Sequence, residues 1–180
     1  MPHKTNLKSQ IALVTGGNRG IGYEVCRQLL EKGMKVILSA RDEEKGLSAV
    51  ESLKKLRFTD VEFEQMDTSD TGSIGRAYER ILSKHPRIDV LVNNAGVFLD
   101  PYPSGATDHA ASAFEAKPDV LLKTVQTNTF GPFNVIQKFA PLMKKHGFGR
   151  IINVSSGMGQ LSEMNGACPA YRISKTALNA

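Results

Sequence analysis

Tyr171 and Lys175 stand four positions apart in the run Tyr171-Arg172-Ile173-Ser174-Lys175. On a helix that spacing puts both side chains on one face, one turn from each other. A phenol ordinarily titrates near pH 10, and an ammonium beside it favours the phenolate. Moving that titration by about three units takes roughly 4 kcal/mol of differential stabilisation. A tyrosine so tuned serves as a general acid near neutral pH. Ser155-Ser156 lies upstream, at the end of a short apolar run, and a hydroxyl there can donate to a developing alkoxide. Asn128 falls inside a long helical pattern; a buried amide needs partners, so it is a candidate for holding a water. No histidine stands where a Ser-His-Asp hydrolase would need one, and Gly-x-Ser-x-Gly is absent, which counts against nucleophilic serine chemistry.

A second group of residues suits a phosphate-bearing ligand. Thr15-Gly16-Gly17-Asn18-Arg19-Gly20-Ile21-Gly22 lies between a strand pattern and a helix pattern. Glycines there permit a tight turn and a close backbone approach, while the first N–H groups of the helix attract an anion. The spacing is Gly-x-x-x-Gly-x-Gly rather than the commoner Gly-x-Gly-x-x-Gly, and in this context it points to a dinucleotide more than to a structural turn. The next strand ends Ser39-Ala40-Arg41, without the carboxylate that would hold the ribose 2′-hydroxyl of NAD. Arg19 and Arg41 instead suit a 2′-phosphate, which favours NADP(H), although a solvated helix start remains open for Arg41. Asp42 is read as the cap of the following helix. Asp67-Thr68 follows the third strand; Asp67 either accepts from an adenine amine or caps a helix. Asn93-Asn94-Ala95-Gly96 closes the fourth strand, where Ala95 and Gly96 leave room for a ligand; alone it reads equally as a loop.

The elements that must position these residues alternate in type. Strands are expected at Ile11–Thr15, Lys35–Ala40, Val61–Gln65, Ile88–Asn93 and Arg150–Ser155, as short apolar runs. Helical spacing is carried by Ile21, Val25, Leu29 and Leu30, stopped by Gly33, and by Leu47, Val50, Leu53 and Leu56 within Asp42–Arg57. Further helices are expected over Thr71–Lys84 and over Asp119–Lys145, the latter burying Phe133, Ile136, Ala140 and Met143 and bent by Pro132 and Pro141. A loop rich in Pro, Ser, Gly and Ala covers Leu99–Lys117, and a last helix starts near Tyr171. Strand–helix alternation predicts a Rossmann-type three-layer α/β/α domain, with a parallel sheet in the order 3-2-1-4-5 and right-handed crossovers. Ligands of such sheets bind beyond the carboxyl ends of the strands, where every motif above falls.

Composition bounds the alternatives. A chain of 180 residues, 41% hydrophobic and 23% charged, fits one globular domain over residues 1–180. Cys26 and Cys168 match no ligand spacing and the four histidines are scattered, so neither a metal site nor a disulfide framework is expected. The net charge of +5 is spread over mixed-charge helical stretches, giving no nucleic-acid patch. No apolar stretch reaches the roughly 20 residues of a membrane span, and Met1–Gln10 is polar without a signal-type apolar core, so a cytoplasmic location is the expectation.

Taken in order, Thr15–Gly22, Asp67, Asn93–Gly96, Asn128, Ser156 and Tyr171/Lys175 closely resemble the short-chain dehydrogenases/reductases, over residues 8–180. The glycine turn and Ala40-Arg41 resemble its NADP-preferring carbonyl reductase and menthone reductase-like members. The resemblance implies reversible reduction of a ketone or aldehyde to an alcohol by hydride transfer from NADPH. Tyr171 would protonate the carbonyl oxygen, Ser156 would orient it, Lys175 would lower the tyrosine pKa and hold the nicotinamide ribose, and Asn128 would keep a water in the proton relay. Gly16, Asn18, Arg19, Gly20, Ile21, Gly22, Arg41, Asp67, Thr68, Asn94, Ala95 and Gly96 would bind cofactor beside Tyr171 and Lys175. The implied partner is a small carbonyl or alcohol substrate; a homo-oligomer is compatible, and neither nucleic acid nor membrane is implied.

The chain departs from the family pattern in three places. The Asn94–Asn128 stretch is longer than usual, the Ser156–Tyr171 stretch slightly so, and the sequence stops at Ala180, inside the catalytic helix. Family members continue into two further strands and a substrate-covering segment. The fifth strand is therefore expected to form a bare apolar edge, and this polypeptide alone is expected to be weakly active or inactive. The competing class is a non-catalytic nucleotide-binding or interaction module, which would need neither Tyr171 nor Lys175. A methyltransferase would need an acidic residue at the end of the second strand, and none is there.

Overall fold

The computed structural model describes residues 9–101 and 112–180. Five parallel strands form one sheet in the order β3-β2-β1-β4-β5. They are β1 (Ile11–Thr15), β2 (Lys35–Ala40), β3 (Val61–Gln65), β4 (Val90–Asn93) and β5 (Arg150–Asn153). The central strand β1 is apolar and almost wholly buried, as a strand covered on both faces must be. Leu13 sits opposite Ile37 on one side and Leu91 on the other, and Asn93 lies opposite Asn153.

Helices α1 (Gly20–Glu31) and α2 (Glu43–Lys55) cover one face of the sheet, and α3 (Thr71–Lys84) and α5 (Gly131–Lys145) the other. Between α1/α2 and the sheet, Cys26, Leu30, Val50 and Leu53 pack on Val14, Val36 and Leu38. Opposite them, Ile74, Ile81, Val135 and Phe139 pack on Leu13, Ile37 and Leu91. Phe139 is fully buried, and Tyr78 meets its ring edge-on with centroids 5.3 Å apart. Truncating such a phenylalanine to alanine typically costs about 3–5 kcal/mol.

Local capping explains where the helices start. The Asp42 side chain accepts from the Lys45 amide (3.0 Å) at the start of α2. At α3 the cap is Asp70, which accepts from the Gly72 amide (2.8 Å), so Asp67 is not the cap of that helix. Gly33, with φ of 82°, takes the chain out of α1.

Three expectations need correction. The helix expected over Asp119–Lys145 is continuous, but its irregularity is a π turn within it. The rod comprises α4 (Pro118–Val125), a π-helical turn (Gln126–Phe130) and α5. Pro132 sits in the first turn of α5, directly after the π turn, and Pro141 lies inside it. The buried stripe of α5 is Val135, Phe139, Leu142 and Met143, while Phe133 is exposed. Likewise α2 buries Gly46, Ala49, Val50 and Leu53 and exposes Leu47 and Leu56. Most of the Leu99–Lys117 loop and of the polar start Met1–Gln10 lies outside the described residues.

Helix α6 (Pro169–Asn179) follows two short 3₁₀ turns, Gly157–Gly159 and Leu161–Glu163. It packs against α4 and the first of those turns. Among the described residues β5 pairs only with β4, and Ile151 and Ile152 on it are about two-fifths exposed. No helix among the described residues is long and apolar enough to cross a membrane.

Candidate functional site

A cleft of about 530 Å³ opens at the carboxyl ends of β1, β2, β3 and β4. It is lined by Gly16, Asn18, Arg19, Gly20, Ile21, Gly22, Arg41, Asp67, Thr68, Asn94, Ala95 and Gly96. The structure thus gathers every cofactor-binding candidate except Tyr171 and Lys175 on the lining of one cleft. Ile21, one of these candidates although its spacing matches the apolar residues of α1, is 65% exposed and lines this cleft.

The glycine turn is held by side chains from the end of β1 and from the residue just past β4. Thr15 Oγ1 accepts from the amides of Asn94 and Ala95, each at 3.0 Å, and donates to the Val92 carbonyl. Asn94 Nδ2 donates to the carbonyls of Thr15 and Gly16, both at 3.0 Å. Gly16 has φ of 64°, and a Cβ on it would come within 2.8 Å of the Ala95 backbone. Only a residue without Cβ fits both the left-handed backbone and that approach.

The opening of α1 suits an anion. Its N-cap Arg19 makes no side-chain capping bond, and its first turn carries no acidic residue. The early N–H groups of a helix lack intrahelical partners and sit at the positive end of its dipole. Arg19, Arg41 and Lys45 all line the cleft. Lys45 was missing from the sequence reading, although Arg41 and Lys45 are four apart at the start of α2. Asp42, also on the lining, has its carboxylate 2.8 Å from the Lys45 ammonium. That hydrogen bond, with help from the Lys45 amide, holds the Asp42 carboxyl below its ordinary range. The donor set therefore fits a dinucleotide carrying an extra phosphate. Asp67, at the far wall, accepts from the amide and hydroxyl of Ser69 through Oδ1 (2.9 and 2.7 Å), which leaves Oδ2 for a ligand.

The four catalytic candidates do not line that cleft: Asn128 and Lys175 lie beside Gly96, Tyr171 shares α6 with Lys175, and Ser156 follows β5. A Cβ on Gly96 would lie 3.3 Å from Asn128 Oδ1 and 3.7 Å from Lys175 Nζ. Lys175 is buried, and its Nζ donates to the Val154 carbonyl at 2.8 Å, just past β5. Burial pushes its pKa below the ordinary lysine value. The same Nζ lies 5.8 Å from the centre of the Tyr171 ring. Tyr171 is half-buried, and Phe98 tilts against its ring with centroids 4.8 Å apart. Ser156 Oγ accepts from the Met158 amide (3.2 Å) and caps the turn Gly157–Gly159. A Cβ on Gly159 would lie 2.8 Å from the Lys175 backbone, so that turn and α6 touch main chain to main chain.

Asn128 sits fully buried in the π turn. Its Oδ1 accepts from the Val97 amide (2.8 Å); its Nδ2 donates to the Val97 carbonyl (2.8 Å) and to Ser174 Oγ (3.0 Å). Both amide hydrogens are thereby used, so any water on this side chain must donate to Oδ1. Sequence reasoning also missed Asp100. Its two carboxylate oxygens accept from the amides of Ala170 (3.0 Å) and Tyr171 (2.9 Å). Only its contact across some seventy residues reveals it, and no local motif does. Among the described residues no group of His, Cys, Asp or Glu is arranged to hold a metal ion.

Comparison with known proteins gives a consistent picture. The family model described as short chain dehydrogenase matches residues 10–180. The (+)-neomenthol dehydrogenase of Arabidopsis thaliana is 40% identical over 164 residues, covering 85% of this chain and 55% of its own. The NADPH carbonyl reductase 3 of Mus musculus is 37% identical over 155 residues, covering 84% and 50%. The chain thus spans about half the length of the curated relatives it matches. Among solved structures, a metagenomic short-chain oxidoreductase in complex with NADP superposes with a TM-score of 0.81 at 33% identity, over 97% of this chain and 74% of that one.

Proposed function

The chain belongs to the short-chain dehydrogenase family, and from that premise we propose that it carries the cofactor site and catalytic residues of an NADPH-dependent reductase of small ketones or aldehydes. The observation that carries this reading is the approach of Lys175 to Tyr171, at 5.8 Å from the ring, next to Gly96 on the cleft wall. A binding module has no use for a buried ammonium held beside a half-buried phenol. The relatives named for NADPH and NADP, and the cations Arg19, Arg41 and Lys45 on the lining, support NADP(H) as the dinucleotide.

When bound, NADPH supplies the hydride. The chain's own residues do the rest. The glycine turn and the start of α1 take the pyrophosphate, and Arg41 with Lys45 takes the 2′-phosphate. Tyr171 gives its phenolic proton to the carbonyl oxygen of the substrate. Ser156, whose oxygen accepts from Met158, keeps its hydroxyl proton to hold that oxygen in place. Lys175 has spent one of its three donors on Val154 and offers the others to the ribose and the proton path. Asn128 fixes the Val97 backbone to α6, and through Oδ1 it accepts from a water in the proton path. Alcohol oxidation runs through the same groups in reverse.

The test is NADPH titration by fluorescence, followed by turnover of a panel of cyclic ketones and aromatic aldehydes by the intact protein and by Tyr171→Phe. The expected result is turnover reduced by about 10²–10⁴-fold, the worth of a positioned general acid, with NADPH affinity lowered far less, since only the phenolic hydroxyl is removed. Full activity in Tyr171→Phe refutes the assignment.

A further inference from the structure

We propose that Asp100 is a positioning residue for Tyr171: it clamps the first turn of α6 to the segment that leaves β4 and so sets where the phenol sits. This rests on the reading of Tyr171 as the proton donor.

Helix α6 begins without a cap of its own. Its N-cap residue Cys168 is in the left-handed region, with φ of 50°, and makes no side-chain capping bond. Pro169 follows, with no N–H to satisfy. The next two amides, of Ala170 and Tyr171, have no intrahelical acceptor. Both are taken by the 6%-exposed carboxylate of Asp100, one oxygen each, at 3.0 and 2.9 Å. A carboxylate at a helix N-terminus also gains from the helix dipole.

Asp100 is four residues past Gly96, on a segment that grips α6 and its neighbours repeatedly. Asn128 holds both backbone groups of Val97 and also reaches Ser174. The Phe98 ring lies against that of Tyr171. Lys175 is fixed differently, by its own ammonium on Val154 past β5. The two members of the pair are therefore anchored to different strands, Tyr171 to β4 through Asp100 and Lys175 to β5. Loss of Asp100 frees the first turn, where Tyr171 sits, and leaves the Lys175 anchor in place. Misplacement by about 1 Å is enough to cost about a hundredfold in rate.

The experiment compares Asp100→Ala, Asp100→Asn and Asp100→Glu in the intact protein with the best member of the carbonyl panel. NADPH affinity is measured separately by fluorescence. Asp100→Ala should lower kcat by about a hundredfold while KM and the NADPH dissociation constant stay within about twofold. Asp100→Asn keeps one acceptor and should recover much of that loss; Asp100→Glu, with the carboxylate displaced by a methylene, should fall between. Added to Tyr171→Phe, Asp100→Ala should cost little more, because its effect runs through the phenol. If Asp100→Ala does not fold, the other two variants carry the test through their intermediate kcat at constant NADPH affinity. Wild-type kcat in all folded variants, a parallel loss of NADPH affinity, or an equal further loss in the Tyr171→Phe background overturns the proposal. An active Tyr171→Phe instead overturns the general-acid reading and this inference with it, and the two failures are told apart by that variant alone.

Discussion

Lys175 Nζ donates to the carbonyl oxygen of Val154 across 2.8 Å, fastening the ammonium of α6 to the residue that follows β5. Burial weakens this group's hold on its proton, so its native pKa lies below the ordinary value. The unfolded chain then binds the proton more tightly in the interval between the lowered value and about 10.4. Stability must rise with pH across that interval. Urea unfolding of the intact protein should therefore show wild type gaining stability relative to Lys175→Met between about pH 8 and about pH 10. A difference that stays flat, or shrinks, contradicts the burial assignment.

The glycine turn makes a sharp contrast between two positions. A Cβ on Gly22 would stand 2.3 Å from the Gly16 carbonyl oxygen and 2.4 Å from Asn94 Nδ2. Gly22→Ala must push apart the main chain that shapes the cleft, at a cost of about 3 kcal/mol, and should lower NADPH affinity as well. A Cβ on Gly20 would meet nothing within 4 Å, but its φ is 56°. Gly20→Ala should lose only the backbone strain, about 1 kcal/mol. Thermal and denaturant unfolding of the two variants checks the order; equal losses would mean the Gly16–Gly22 contact is relieved at little cost.

On the proposed reading, cofactor choice turns on the cations at the start of α2. Arg41→Ser removes a guanidinium from the cleft lining and should weaken NADPH binding by about 10–100-fold, the range for a charge-assisted hydrogen bond. NADH, without the 2′-phosphate, should bind as before. Lys45→Ala should act in the same direction and more weakly, since its ammonium is shared with Asp42. Fluorescence titration with both dinucleotides decides this, and parallel losses for the two would remove the role given to Arg41.

Neither cysteine should be reactive in the folded protein. Burial pushes the Cys26 thiol up to about 12. Cys168 is also raised, by burial first and by the Asp100 carboxylate second. Thiolate is the reacting form, so iodoacetamide at about pH 8 should modify these two residues only after denaturation, as read by mass spectrometry. Rapid labelling of Cys26 in native protein would contradict its packing beneath the glycine turn.

Local signals carried far into this structure. The runs Ile11–Thr15, Lys35–Ala40 and Val61–Gln65 are strands with the bounds their apolar patterns suggest, and α3 spans Thr71–Lys84 as its spacing indicates. The glycine turn announces itself because its residues are contiguous. Where two apolar stripes share a helix, the pattern alone does not choose between them. In α5 the stripe through Phe133 and Ile136 lost to the one through Val135 and Phe139, because the preceding turn sets the helix's rotation. Asp67 offered two roles, and Asp70 proved to be the cap of α3. Asp100 was invisible in sequence, since its partners Ala170 and Tyr171 meet it only after the sheet is built.

The π turn Gln126–Phe130 amounts to one surplus residue wound into an otherwise regular rod. Each residue of an α-helix advances the azimuth by about 100°. Excising a single residue there, Thr127 for instance, would restore the regular winding and rotate everything beyond it relative to α4. Either Asn128 would lose Val97 and Ser174, or Val135 and Phe139 would swing out of the interior. The surplus residue is the phase adjustment that lets one continuous rod serve the cleft at one end and the hydrophobic interior at the other.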